Sequence, residues 1–179
     1  HPVRVGGITL SADANSQAVD LQVQGQYAYI AGGESGLHVI DVGHPNLPVR
    51  VAAIEGEIQG IDVVGSYAYG VGEHGGLLVV DLSDPVQPRA VSTGIMVNAT
   101  EARRVQVAGQ YAYVSDEEGL MVIDVSDPLH PTQLNRVDTH SEAVGVRVVG
   151  QYAYVADEIR GLQVLNVSDP GHPVLVGSW

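Results

Sequence analysis

Short acidic segments recur once in each quarter of this chain: Gly33-Glu34-Ser35, Glu73-His74-Gly75, Asp116-Glu117-Glu118 and Asp157-Glu158-Ile159-Arg160. Oxygen donors of this kind suit a hard divalent cation. Glu73, His74, Asp116, Glu117, Asp157 and Glu158 are therefore the candidate metal ligands, with Ca2+ as the candidate ion. No run has the alternating Asp/Asn spacing of a dedicated calcium loop, and ordinary polar turns account for the same acids. Glu101 and Glu142, together with these acids, could in principle supply the carboxylate pair of a glycoside hydrolase. His74 and His140 are the two histidines retained as ligand or base candidates. His1, His130 and His172 share a slot before a proline where other copies have Leu47 and Gln87, so they read as turn residues. His38 aligns with Leu78, Met121 and Gln163, a strand position that tolerates variety. No nucleophile elbow, phosphate loop or metal-spaced histidine pair is present, so catalytic residues are assigned to none and the chain reads as a non-enzyme.

Composition narrows the partners. The net charge of −13 would repel a nucleic-acid backbone or an anionic membrane. All eight basic residues are arginine, and there is no cysteine, which removes disulfides, thiolate metal sites and cysteine nucleophiles together. No leader peptide or apolar run of membrane-spanning length is read, and His1 already lies within the repeat pattern.

The elements that must position these loops repeat four times. Gly25-Gln26-Tyr27-Ala28-Tyr29 returns at Gly65-Ser66-Tyr67-Ala68-Tyr69, Gly109-Gln110-Tyr111-Ala112-Tyr113 and Gly150-Gln151-Tyr152-Ala153-Tyr154. The first tyrosines stand 40, 44 and 41 residues apart, counting 27 to 67, 67 to 111 and 111 to 152. A period of about 40–45 residues with strand-like content is that of a four-stranded propeller blade. The first run of each unit alternates, as in Leu21-Gln22-Val23, and a glycine turn leads to the Tyr-Ala-Tyr run. The third run, Gly36 to Val42 and its echoes, is apolar on both faces, as expected for a sheet held between two others. Asp84-Pro85-Val86-Gln87-Pro88 and its counterparts then form a proline-bracketed turn into a fourth run. Proline at the start of that run places it at the blade's outer edge. The predicted core comprises Leu21, Val23, Val39, Ile40, Ile61, Val63, Val79, Val80, Val105, Val107, Val122, Ile123, Val146, Val148, Val164 and Leu165.

Tyr-Val-Ala-Asp followed by Gly-Leu-x-Val-Ile-Asp-Val-Ser-Asp-Pro-x-x-Pro-Val resembles the LVIVD repeat family of bacterial and archaeal surface proteins. The resemblance covers essentially the whole chain. It implies propeller-like blades and an extracellular or cell-surface setting, and it brings no catalytic motif. The second copy departs most, with Gly70 in place of the usual valine or isoleucine and Pro88-Arg89-Ala90-Val91 in its last strand.

The expected fold is all-β: a β-propeller-like array of four antiparallel four-stranded blades forming one domain over 1–179, with repeats at about 18–54, 58–94, 102–137 and 143–179. One strand is surplus. Residues 1–8, Pro2-Val3-Arg4-Val5-Gly6-Gly7-Ile8, match the fourth-type strand Pro173-Val174-Leu175-Val176-Gly177-Ser178-Trp179. Either the chain is a window cut from a longer array or the spare strand pairs with another copy; an unpaired apolar edge is costly, so pairing across a chain boundary is the expectation. Val3, Val5, Ile8, Val174, Val176 and Trp179 are the expected assembly interface, with other copies of the chain or neighbouring repeat domains as partners. Two rival readings come from other classes: a secreted propeller enzyme acting on polysaccharide, and a calcium-dependent binding module. Asn98-Ala99-Thr100 and Asn166-Val167-Ser168 match the glycosylation pattern, but Asn166 stands where other copies have Asp41, Asp81 and Asp124 and reads as structural.

Overall fold

The computed structural model describes residues 1–10, 17–72, 76–95 and 101–179. Sixteen strands form four antiparallel sheets, and no helix occurs among the described residues. Blade 1 is β1 (Asp20–Gln24), β2 (Tyr27–Ala31), β3 (Leu37–Asp41) and β4 (Val49–Ile54). Blade 2 follows as β5 (Gly60–Val64), β6 (Tyr67–Gly72), β7 (Gly76–Asp81) and β8 (Arg89–Ile95). Blade 3 is β9 (Arg104–Ala108), β10 (Tyr111–Asp116), β11 (Gly119–Asp124) and β12 (Thr132–Asp138). Blade 4 is β13 (Ala143–Val149), β14 (Tyr152–Asp157), β15 (Gly161–Asn166) and β16 (Val174–Ser178). Each blade is a meander in sequence order, with the proline-started strand outermost.

Local chemistry explains why the meander repeats. Gly25, Gly65, Gly109 and Gly150 each open the first hairpin turn at φ between 60° and 65°, which a residue with a Cβ adopts only under strain. The aspartate that ends the third strand turns the chain through its side chain: Asp41 Oδ1 accepts from Gly43 N, Asp81 Oδ1 from Ser83 N and Asp124 Oδ1 from Ser126 N, all at 2.8 Å. Asn166 Oδ1 does the same with Ser168 N at 2.9 Å, which confirms its structural reading. At the proline-bracketed turn, His130 and His172 place Nδ1 2.9 and 3.0 Å from Asp127 and Asp169 of their own turn. In every blade the register between the third and fourth strands slips by a bulge. The second blade slips twice, as its irregular last strand foreshadowed. Gly70 is explained by packing, because a Cβ there would crowd the Ile58 side chain.

Blades stack through opposite faces. The Tyr-Ala-Tyr run turns its second tyrosine toward the following blade and its alanine toward the preceding one. Thus Tyr29, Leu37 and Val39 of blade 1 pack with Ile58, Ile61, Ala68 and Val80 of blade 2. Tyr69, Leu77 and Val79 pack with Val105, Val107, Ala112 and Ile123 of blade 3, and Tyr113, Leu120 and Val122 with Val148, Ala153 and Leu165 of blade 4. The inner strands β1, β5, β9 and β13 touch in sequence, and no comparable packing joins blade 1 to blade 4 among the described residues. Over the described residues the array is an open arc.

One expectation is corrected by that openness. Leu21 and Val23, predicted as core, are 56% and 58% exposed. Their counterparts Val105 and Val107 are buried against the blade before them, and blade 1 has none before it. Residues 1–8, expected to pair as a strand across a chain boundary, form no ladder within this chain. They lie along blade 1, with Gly6 against Pro45 and Asn46. Leu10 continues the segment onto Ala28 and Ile40, where the Arg50 guanidinium donates to its carbonyl at 2.5 Å.

His38 is buried in this same region of blade 1, with Nε2 2.9 Å from Ser35 Oγ and Nδ1 without a partner. Burial, reinforced by the Arg50 charge, holds its pKa below the usual 6.5. The unfolded chain therefore binds the extra proton first, and stability declines as pH falls from about 6.5 toward the folded value. A His38→Leu variant is expected to show a shallower loss of melting temperature over that window. Equal slopes for variant and parent would contradict this.

Candidate functional site

The rim is the first candidate. Loops between second and third strands meet those between blades on one face, as shown by the paired bonds of Gly33 and Ile58, each 3.0 Å. Asp116 is fully buried here. Its Oδ1 accepts from the backbone N–H of Glu118 and Gly119 at 3.0 and 3.1 Å, and its Oδ2 lies 2.6 Å from the Arg136 guanidinium. Burial pushes the carboxyl up, against the pull of Arg136 and those two amides. Asp157 has the equivalent role in blade 4, accepting from Ile159 and Arg160 N–H at 3.2 and 2.7 Å and from the Ser141 hydroxyl. Burial acts to raise its pKa too, but these bonds prevail and hold it below the usual carboxylate range. Both aspartates are turn-builders. Glu117 and Glu158 are exposed beside them. Glu73 and His74 lie outside the described residues, as does Asn98. His140 sits at φ 70° with Nδ1 3.4 Å from Asp138. Arg103 bridges Glu101, at 3.2 Å, and Glu142, tying together the two acids considered as a hydrolase pair. Among the described residues no group of three or more His, Asp or Glu is arranged to hold a metal ion.

The inner strands form the second candidate, a cleft of about 410 Å³ lined by Asp20, Gln22, Asp62, Arg104, Gln106 and Arg147 among others. Its polar groups mostly link blades. Asp20 Oδ2 accepts from Ile61 N at 3.1 Å, Asp62 Oδ2 from Val107 N at 2.7 Å and Gln106 Oε1 from Val148 N at 2.6 Å. Those amides lie on the side of each inner strand that faces away from its own ladder, so a side chain of the preceding blade satisfies them. Sequence reading assigned no role to the polar member of each alternating run and missed this. The signal was the hydrogen-bonding residue at the equivalent positions Asp62 and Gln106; in blade 1 the link comes instead from Asp20, two residues before Gln22. Arg147 breaks the series. It is exposed and has no ion-pair partner among the described residues.

The end faces are the third candidate. Tyr152, Tyr154, Leu162, Val164 and Trp179 line an apolar groove of about 400 Å³ on the outer face of blade 4. Tyr154 is 37% exposed against 3–4% for Tyr29, Tyr69 and Tyr113, and Leu162 is 41% exposed where Leu37, Leu77 and Leu120 are at 0%. Of the expected interface, Val3, Val5, Ile8, Val174, Val176 and Trp179 are all exposed.

The sequence profile of the LVIVD repeat matches residues 16–52, 55–93, 99–139 and 141–179, one match for each blade. The chain belongs to the LVIVD repeat family. No curated protein matches it significantly. Among solved structures, the LVIVD array is similar to the computationally designed Ika8 protein, with a TM-score of 0.69, 11% identity, and coverage of 89% of this chain and 48% of that one. A putative 6-phosphogluconolactonase from Bacteroides uniformis gives 0.70 at 16% identity, covering 88% and 55%. BamB from Moraxella catarrhalis gives 0.65 at 15% identity, covering 91% and 49%. The LVIVD chain therefore spans about half the length of each of these three, and the likeness is one of fold. No helix among the described residues is long and apolar enough to cross a membrane.

Proposed function

We propose that this LVIVD array is a non-catalytic structural and interaction module, working in an extracellular or cell-surface protein and binding blade-type partners through the ends of its arc. The observation that carries this reading is the groove on blade 4. It repeats, residue for residue, the surface that blades 1–3 bury against a successor. The surface setting rests on the character of the family. The acids of the rim support the same reading, because Asp116 and Asp157 are engaged in holding turns and Glu101 and Glu142 share Arg103.

Repeat arrays gain stability from each neighbour interface added. A chain extended at its C-terminus by a duplicate of residues 141–179 is expected to melt several degrees higher than the parent in one transition. The extended chain should also lose the solvent accessibility of Tyr152 and Tyr154, read by ultraviolet difference spectroscopy. An appended repeat that gives no gain in melting temperature would overturn the reading.

A further inference from the structure

We propose that the cleft along the inner strands is a binding site for a small hydroxylated carboxylate, whose acid group is held by Arg104 and Arg147. The cleft's volume of about 410 Å³ falls within the range of small-molecule sites. All four inner strands line it, so every blade has a share in its wall. At the rim-side start of those strands the repeat places Asp20, Gly60, Arg104 and Gly145 at equivalent positions. Gly60 is required there, because a Cβ would meet the Arg103 carbonyl oxygen at 2.6 Å. Only glycine lets β5 approach β9 this closely. Arg104 is thereby rooted beside blade 2 and reaches two blades back, with Nε 3.9 Å from Asp20 Oδ2.

The hydrogen bonds already made define what the cleft lacks. Main-chain amides hold both carboxylates: Leu21 N and Ile61 N donate to Asp20 at 2.9 and 3.1 Å, and Val63 N and Val107 N to Asp62 at 2.9 and 2.7 Å. Arg104 commits Nη1 to the Gln59 and Arg103 carbonyls, at 3.0 and 2.8 Å. A guanidinium carries five N–H groups, and those on Nε and Nη2 have no acceptor within hydrogen-bond distance among the described residues. They form the side-on edge that takes a carboxylate through two parallel bonds. Arg147 lines the same wall with a second guanidinium. In a chain of net charge −13, the unused capacity of this one cleft is cationic and rich in donors.

Charge and polarity select the class of ligand. Asp20 and Asp62 remain in the wall, so a dianion such as phosphate meets twice the repulsion from each that a carboxylate does. A singly charged acid suits the two arginines. Each oxygen of Asp20 and Asp62 accepts one amide and keeps a second lone pair, which a ligand hydroxyl can fill. The Gln22 carboxamide, which makes no hydrogen bond among the described residues, offers a donor and an acceptor together. No aromatic side chain lines the cleft among the described residues, so a neutral sugar has no ring to stack on. A six-carbon sugar acid combines the acid and the hydroxyls at a size the cleft holds. The side chains anchored to the main chain are already in place, which keeps the cost of ordering them on binding small. This site belongs to the concave side of the array and is independent of what its end faces bind.

Isothermal titration calorimetry at pH 7 with D-glucuronate, D-glucose and inorganic phosphate tests the site. One glucuronate is expected to bind per chain, with glucose and phosphate each at least about 10-fold weaker. Arg104→Lys keeps the charge but loses the fork, and Arg147→Gln removes the charge at an exposed position. Each should weaken glucuronate at least about 10-fold, the usual effect of losing a charge-assisted contact. Arg147→Gln should melt at the parent's temperature, so its loss of affinity reads binding and not folding. In the parent, glucuronate should also shift the Arg104 Nε–H resonance. No binding up to about 10 mM glucuronate, glucose or phosphate binding as tightly as glucuronate, or an unchanged affinity in Arg147→Gln would each overturn the proposal.

Discussion

Replacing Arg136 by methionine is expected to lower the unfolding free energy by about 3–5 kcal/mol, the usual result of stranding a buried charge by removing its partner. Asp116 has no exposed surface, and the Arg136 side chain is itself mostly covered. Methionine keeps the apolar stem of the arginine but supplies no donor, leaving Oδ2 of Asp116 without its 2.6 Å contact. The amides of Glu118 and Gly119 still reach Oδ1, so the turn survives and the loss is electrostatic. Adding Asp116→Asn to Arg136→Met should recover much of the stability, because the neutral amide keeps an acceptor for the turn and carries no charge. Urea denaturation of the single and double variants measures both. A single-variant loss below about 1 kcal/mol, typical of an exposed pair, would show that water reaches this site.

Ile123→Ala should cost about 2–5 kcal/mol, since it deletes buried carbons from a site that cannot collapse. Ile123 is fully buried on β11, in the cluster where Tyr69, Leu77 and Val79 of blade 2 meet Val105, Val107 and Ala112 of blade 3. Two sheets with ladders on either side hold the walls apart, so the cavity persists. Val23→Ala offers the comparison. Its side chain is exposed at the end of the arc, and the change should stay within about 0.5 kcal/mol in the monomer. Thermal or urea unfolding of both variants reads the difference. Comparable losses at the two positions would mean that the junctions are not where the stability resides.

The blades were legible because their signals are local. Alternation, the glycine turn, and proline at the outer strand each act over a short stretch of chain, and they recur four times in step. The periodic core followed for the same reason at Val39, Ile61, Val107 and Ile123. Leu21 and Val23 escaped because burial of an inner strand depends on a blade from elsewhere, which no pattern inside the repeat reports. Residues 1–8 carry every mark of an outer strand, yet an outer strand pairs with a third-type strand, and β3, β7, β11 and β15 each already carry one. The rim acids were found, but the Asp116–Arg136 pair was not. Twenty residues separate them in sequence, and only the β11–β12 register brings Arg136 opposite Met121 and its guanidinium to the loop.

The inner-strand links carry a consequence for how freely the blades could be shuffled. Backbone shape is the same at every junction, but the side chain spanning it is not: Asp62 and Gln106 accept an amide proton, and Arg147 cannot. The junctions are lettered alike and keyed differently. An exchange of the second and fourth repeats would set a guanidinium against the N–H it must meet inside the arc, and would put a carboxylate at the free end where an arginine now stands. Blade order is thereby written into single residues on a scaffold that would otherwise read the same whatever the order of its blades.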